Sequence, residues 1–253
     1  MLNIKLLYKV WYRNFIVWTK YIRPSLVANL GEPLLYLLLM GYGMGKIVPE
    51  INGMKYIDFL APGLILSSVM YAASFEATIS SYTRMITQKT YDAIMATPVN
   101  LSEIVAGEIV WSTTKGLISS VFFVAIMALF GLVHSWIFSV SIVAVIMDGL
   151  FFSSLSMVFV GFSHSYEFFN YFFTLILTPF FLFSGIFFPL NTLPEWARRI
   201  AFYVPLTPMV DLTRMSNKGI LDYQALLLSV IMGLLSIPMG IVSYKLIKKR
   251  LIR

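Results

Sequence analysis

Hydrophobic residues run along this chain in long blocks parted by short polar stretches, and six blocks are long enough to cross a bilayer as helices. They cover about 26–46, 59–82, 104–133, 137–162, 168–190 and 225–246. The polar positions between them carry patterns of their own. At 100° per residue, Lys5, Lys9, Arg13, Lys20 and Arg23 fall within an arc of roughly 80°. Ile4, Leu7, Trp11, Phe15, Trp18 and Ile22 occupy the far side, and Ile16 intrudes on the basic face. This predicts an amphipathic interface helix over residues 1–25, its basic face toward anionic headgroups. A passive anchor and a sliding gate helix share that pattern.

The segment from Arg84 to Thr97 is the second departure from the apolar background. On a helix Arg84, Gln88 and Asp92 recur every four residues on one face, with Lys89 close by. Ile86, Ala93, Ile94 and Thr97 cover roughly the opposite side. Pro98 ends this helix, and Asn100-Leu-Ser-Glu103 reads as a capping box that opens the next. A rigid finger held between two membrane helices can take a push from a soluble partner. An ordinary interfacial loop helix would carry the same pattern.

Aromatic residues concentrate in the fifth block. Residues 166–188 hold eleven of the forty, and Pro179 and Gly185 within them predict a kinked or broken helix. Tyr171, Phe172, Phe173, Phe181, Phe187 and Phe188 are candidates for a translocation path, because aromatic faces stack on sugars and slide along acyl chains. Packing and lipid contact are the competing role for such residues. Beyond them, 194–203 reads as a short amphipathic helix at the outer surface. Pro189, Pro194, Pro205 and Pro208 punctuate a region that dips partly into the membrane, so 168–222 forms an aromatic span with an outer re-entrant part.

Composition sharpens this picture. The chain of 253 residues is 58% apolar and 12% charged, against about 25% charged in soluble domains. It is an integral membrane protein, with residues 26–253 forming one transmembrane domain and nothing left over for a soluble one. Lys5, Lys9 and Arg13 interrupt any apolar stretch that could act as a signal peptide. The absence of Cys excludes disulfide and thiol chemistry. The net charge of +7 reports orientation rather than nucleic-acid binding. With both termini inside, twelve Lys and Arg lie on the cytoplasmic side and six outside, the asymmetry the positive-inside rule favours.

Three carboxylates sit at membrane depth: Glu32, Glu76 and Asp148. Each costs about 2.5–3.5 kcal/mol at a helix centre, so each needs a partner or a cavity. A structural hydrogen-bonding role outweighs proton coupling. Gly41-Tyr-Gly-Met-Gly-Lys46 fails as a phosphate loop: the glycines are too close, Ile47 stands where Ser or Thr is needed, and no strand precedes it. Gly41 and Gly45 suit close helix packing instead. His134 and His164 lie at opposite ends of one block, and no metal-ligand cluster or nucleophile–base set stands out. The chain is not expected to be an enzyme by itself.

Several strings together resemble the ABC-2-type exporter permeases, in their nodulation protein J branch. They include Glu32-Pro-Leu-Leu-Tyr36, Phe59-Leu-Ala-Pro-Gly63, Gln88-Lys-Thr-Tyr-Asp-Ala93, Ala106-Gly-Glu108, Phe169-Asn-Tyr-Phe-Phe-Thr174, Phe181-Leu-Phe-Ser-Gly185 and Phe187-Phe-Pro-Leu190. Order and spacing match from about residue 30 to 215, with one departure at Thr207-Pro208, where Thr-His would follow Pro-Leu. The resemblance implies an all-α polytopic fold of six transmembrane helices, with an N-terminal interface helix and re-entrant helices before the last span. It implies a cytoplasmic coupling helix over residues 88–97, in the 84–100 loop. Arg84, Lys89 and Asp92 would make its polar contacts, Gln88 would open it, and Tyr91 and Ile94 would be its packing anchors. It also implies a homodimer in a bacterial or archaeal cytoplasmic membrane, engaging two copies of a separate nucleotide-binding subunit. ATP and Mg would sit on that subunit, and this chain would hold no cofactor. The cargo implied is an amphiphile such as a lipo-oligosaccharide or glycolipid, with hydrophobic drugs second. An ion-driven transporter using Glu76 and Asp148, or a non-transporting scaffold, would be the competing classes.

Overall fold

Helix after helix builds the chain, in a computed structural model that describes residues 2–48, 50–51 and 53–251. The side chains of Arg23 and residues 25–30 lie outside the described set, as does Arg253, so the basic-face assignment of Arg23 and the tail charge of Arg253 fall beyond it. The first helix, α1 (Ile4–Thr19), is capped by Asn3, whose side chain accepts from the Lys5 amide at 3.0 Å. Next, α2 (Ile22–Leu38) passes through a π-helical segment, Leu39–Met44, into α3 (Gly45–Ile47). A two-stranded hairpin that hydropathy does not foresee follows, β1 (Glu50–Ile51) antiparallel to β2 (Met54–Lys55) with Glu50 opposite Lys55.

The central rod is α4 (Tyr56–Phe75), prolonged by π-helical segments at Glu76–Ser80 and Thr83–Thr87. A short α5 (Thr90–Met95) leads to α6 (Leu101–Leu129), then a 3₁₀ turn at Trp136–Val140 and α7 (Ser141–Phe162). The aromatic region is α8 (Glu167–Phe172), a π-helical segment at Phe173–Leu177, and α9 (Thr178–Phe183). Helices α10 (Glu195–Phe202) and α11 (Leu206–Asn217) precede α12 (Tyr223–Leu234) and α13 (Ser236–Leu251).

Among the described residues, four helical stretches are long and apolar enough to cross a membrane: Tyr56–Thr87, Leu101–Leu129, Trp136–Phe162 and Tyr223–Leu251. Glu167–Phe183 is a shorter apolar helix. The fifth block was expected to run to residue 190, but helix stops at Phe183 because Gly185 takes φ +79°, a turn that L side chains resist. The break also comes from the π-helical segment rather than from Pro179, which sits harmlessly in the first turn of α9.

Burial ranks the spans. The α4 rod is 83% buried over its most apolar window and the last span 17%, so α4 is the hub and α12–α13 turn a broad face to lipid. Hydroxyl pairs stitch the spans together, Ser68 of α4 to Ser119 of α6 at 2.9 Å and Thr113 of α6 to Ser153 of α7 at 3.3 Å. The N-terminal helix packs on α6 through Val10, Asn14 and Trp18, one stripe at i, i+4 and i+8. Its apolar face is therefore rotated from the predicted one: Ile4 remains exposed, and Asn14 is buried. Gly107 permits the approach, since an added Cβ would lie 2.8 Å from the Val10 side chain.

Candidate coupling site and translocation path

The polar loop departs from the single helix its spacing predicts. The α4 rod ends at Thr87, and Lys89 adopts the left-handed region at φ +49° before α5 begins. That turn splits the predicted face. Arg84 points back into the bundle, whereas Gln88, Lys89 and Asp92 on the other side of the break are exposed. Ile94 is half-buried, and Tyr91 is fully buried beneath α5. Burial pushes the Tyr91 phenol well above its ordinary pKa, reinforced by the negative charge of Glu108. Tyr91 packs inside this chain, in the apolar cluster that holds Tyr82, Met85 and Ile104.

Arg84 organises a buried charge network. Its guanidinium grips Glu108 on α6 in a fork, Nε to Oε1 at 3.0 Å and Nη2 to Oε2 at 2.5 Å. Its Nη1 donates to Glu76 Oε1 at 2.9 Å. Glu76 is also held by Lys115 Nζ at 3.1 Å and by Trp111 Nε1 at 2.9 Å. Ser81 Oγ donates to Glu108 Oε2 at 3.0 Å, and Asn14 Nδ2 on α1 donates to Glu108 Oε1 at 3.2 Å. Two cations and two carboxylates thereby balance where α1, the lower α4 rod and α6 meet. The Trp111 ring completes the junction, with Trp11, Phe15 and Trp18 of α1 edge-on to it at 6.1–6.3 Å. Just past this junction Glu103 seats two helix starts, accepting from the Asn100 amide at 2.8 Å and from the Asn3 amide at 3.1 Å. The capping box read from the sequence is present.

The polar turn is thus exposed on one side, while Arg84 at its start is tied by ion pairs to Glu76 and to Glu108 of α6. Residues 5–216 match the family model described as ABC-2 type transporter. The chain belongs to that family. It is 35% identical to Nodulation protein J of Rhizobium leguminosarum bv. viciae over 210 residues, 83% of this chain and 81% of that one. Nodulation protein J of Rhizobium meliloti (strain 1021) is 35% identical over 207 residues, 81% of this chain and 78% of that one. The inner membrane transport permease YadH of Escherichia coli (strain K12) is 25% identical over 213 residues, 83% and 80% of the two chains. The protein is a multi-pass ABC-2 transporter permease.

In this permease the candidate path residues divide. Phe172, Phe181 and Phe187 are buried inside the chain: Phe172 lies 4.5 Å from the Phe159 ring, and Phe181 5.0 Å from Phe187. Tyr36 packs on both Phe181 and Phe187 at 5.5 Å. Tyr171 and Phe188 are exposed, and Phe173 is half-buried. Phe188 borders an apolar cavity of about 750 Å³ with Tyr36, Met40, Met44 and Leu182. Phe173 borders a second cavity, of about 380 Å³, into which Glu32 and Asn170 also open.

The three intramembrane carboxylates have three settings. Glu76 is neutralised within the network, Glu32 faces the smaller cavity, and Asp148 is fully buried with neither oxygen hydrogen-bonded. Sequence reading did not single out Glu108, Lys115, Trp111 or Asn14. Glu108, Trp111 and Lys115 recur at helical spacing along one face of an otherwise apolar span, and a lysine inside such a span signals a buried carboxylate to pair with, here Glu76. Near the start of α4, Arg214 of α11 donates to the carbonyls of Phe59 at 3.1 Å and Gly185 at 2.8 Å, and stacks over the Phe59 ring at 3.8 Å. It ties α11 to the hub and to the turn after α9.

Proposed function

We propose that this permease is the membrane half of an ATP-driven exporter, moving an amphiphile with a sugar head group across the cytoplasmic membrane. The observation that carries the reading is the junction around Arg84. The exposed residues Gln88, Lys89 and Asp92 offer a soluble subunit a polar grip, and Tyr91 and the Arg84–Glu108 fork convey its motion to α4 and α6. A buried, bidentate ion pair resists relative sliding of its helices better than apolar contact does, because sliding strands charge in low dielectric. Family membership and the relatives named Nodulation protein J support an exporter of lipo-oligosaccharide or glycolipid type.

On this reading two copies of the permease pair, and each engages one copy of a separate nucleotide-binding subunit that holds ATP and Mg. Segments 22–47 and 167–183 supply two further crossings, giving six, with α10 and α11 re-entrant and both termini cytoplasmic. Closure of the ATP-binding subunits pushes on α5, and the lower α4 rod and α6 tilt together. The cargo enters from the inner leaflet, its head passing beside α2 and α8–α9 while its acyl part stays in the bilayer. Hydrophobic drug export is the second reading, favoured by the apolar lining of the 750 Å³ cavity.

The test is co-purification with the ATP-binding subunit encoded beside it, then ATPase assays in nanodiscs against uncharged glycolipids and hydrophobic drugs. Glycolipid stimulation supports the reading, and stimulation by drugs alone replaces it with the second. Asp92→Lys, at an exposed position, is expected to leave folding intact and to reduce partner binding and stimulated ATPase activity at least tenfold. Unchanged binding and ATPase activity in that variant would remove the coupling role from α5.

A further inference from the structure

The smaller cavity carries more than its size suggests. It opens between α2, α4 and the aromatic region, and Glu32, Tyr71, Phe75, Asn170, Phe173 and Thr174 face it. Tyr71 lies ~22 Å along α4 from Tyr56, at ~1.5 Å per residue, so in a ~30 Å hydrocarbon layer the cavity belongs to the inner-leaflet half. Two π-helical segments border it: Phe173–Leu177 contributes Phe173 and Thr174, and Glu76–Ser80 contributes Ile79. Such segments widen a helix locally and recur at functional sites. Glu32 is exposed toward this opening, and among the described residues nothing donates to its carboxylate, whereas the buried carboxylates of Glu76 and Glu108 are both held by Arg84. A carboxylate in a membrane span calls for donors, and here a cavity stands where they would be.

We propose that this cavity is the entry subsite for an uncharged, hydroxyl-rich head group, with Glu32 as its specificity-determining acceptor. A carboxylate takes hydrogen bonds from two neighbouring hydroxyls of a sugar ring at once. Asn170 adds an amide that donates and accepts, Tyr71 and Thr174 add hydroxyls, and the Phe75 and Phe173 rings offer faces to the C–H side of a sugar. The same negative charge repels the phosphate of anionic inner-leaflet lipids, the most abundant competitors for an opening at that depth. The subsite takes its cargo class from the proposed function and adds the residue that reads the head group and the sign of its selectivity.

Purified permease in neutral-lipid nanodiscs would be titrated with a monoacylated, uncharged tetrasaccharide and, separately, with phosphatidylglycerol. Wild type is expected to prefer the tetrasaccharide lipid. Glu32→Gln keeps the shape and is expected to weaken that binding about tenfold while raising phosphatidylglycerol binding. Tyr71→Phe should weaken only the tetrasaccharide lipid. The chain contains no cysteine, so Thr174→Cys places a single thiol in the cavity, and the tetrasaccharide lipid should shield it from a thiol reagent. If wild type and Glu32→Gln bind the tetrasaccharide lipid equally, the subsite is refuted while the sugar-headed cargo stands. If wild type ignores the tetrasaccharide lipid altogether, the cargo reading falls as well. Shielding of the thiol with no lipid added would give the cavity to a second copy of the chain and overturn the proposal.

Discussion

Replacing Arg84 by alanine leaves the fully buried Glu108 without its forked partner and halves the positive charge that balances the network. Removing one member of a buried ion pair costs about 3–5 kcal/mol, because the remaining charge stays desolvated. Two features set the value here. Arg84 is 13% exposed and Glu108 0%, so water screens little and the full range applies. Glu76 retains Lys115 and Trp111, so its loss is smaller than that of Glu108, and the sum lies near ~4 kcal/mol. Arg84→Lys keeps the charge but not the fork, and about 1.5–3 kcal/mol is the worth of one hydrogen bond to a charged group. Arg84→Met combined with Glu108→Gln should recover part of the alanine loss, since no ion is then stranded. Reversible unfolding in mixed micelles, followed by tryptophan fluorescence, measures all four, and Trp111 reports from inside the network. Arg199→Ala is the control: its pair with Glu195 is 77% and 67% exposed, and such pairs contribute about 0–1 kcal/mol. If Arg84→Ala costs no more than Arg199→Ala, Arg84 faces water and the junction is not a mechanical link.

Three further substitutions separate packing from path and test the unpartnered carboxylate. Phe172→Ala empties a fully buried position and should cost about 3–5 kcal/mol of stability, whereas Phe173→Ala, at the cavity edge, should reduce glycolipid-stimulated ATPase activity with little loss of stability. Equal stability losses in the two variants would place Phe173 in the core. Asp148→Asn should leave stability unchanged or raise it, because neither carboxylate oxygen is hydrogen-bonded; a loss above about 1 kcal/mol on unfolding would reveal a partner for that group.

Local pattern was a good guide wherever a feature depends on residues close in sequence. Hydropathy located four of its six blocks within about five residues of the long apolar helices, and Asn100 and Glu103 announced the start of α6 through a cap that closes within one turn. The concentration of aromatics between 166 and 188 correctly marked a broken helix, though its break is a π-helical segment and its end a left-handed Gly185. Pattern failed at Lys89. Nothing in a four-residue repeat of polar side chains reveals that a lysine will take a positive φ, and that single turn sends Arg84 inward and Asp92 outward.

Composition, block length and short strings read in order were enough to mark a multi-pass membrane protein of this family. Which charges belong together is legible only once the helices are packed. Glu76, Arg84, Glu108 and Lys115 lie on two antiparallel rods, and Asn14 joins them from a third helix 94 residues away from Glu108. A buried charge is stable only beside its opposite, but the rule does not say which opposite. That choice is made by helix packing: Gly107 lets α1 close on α6, and α4 presents Glu76 and Arg84 to the same face of α6.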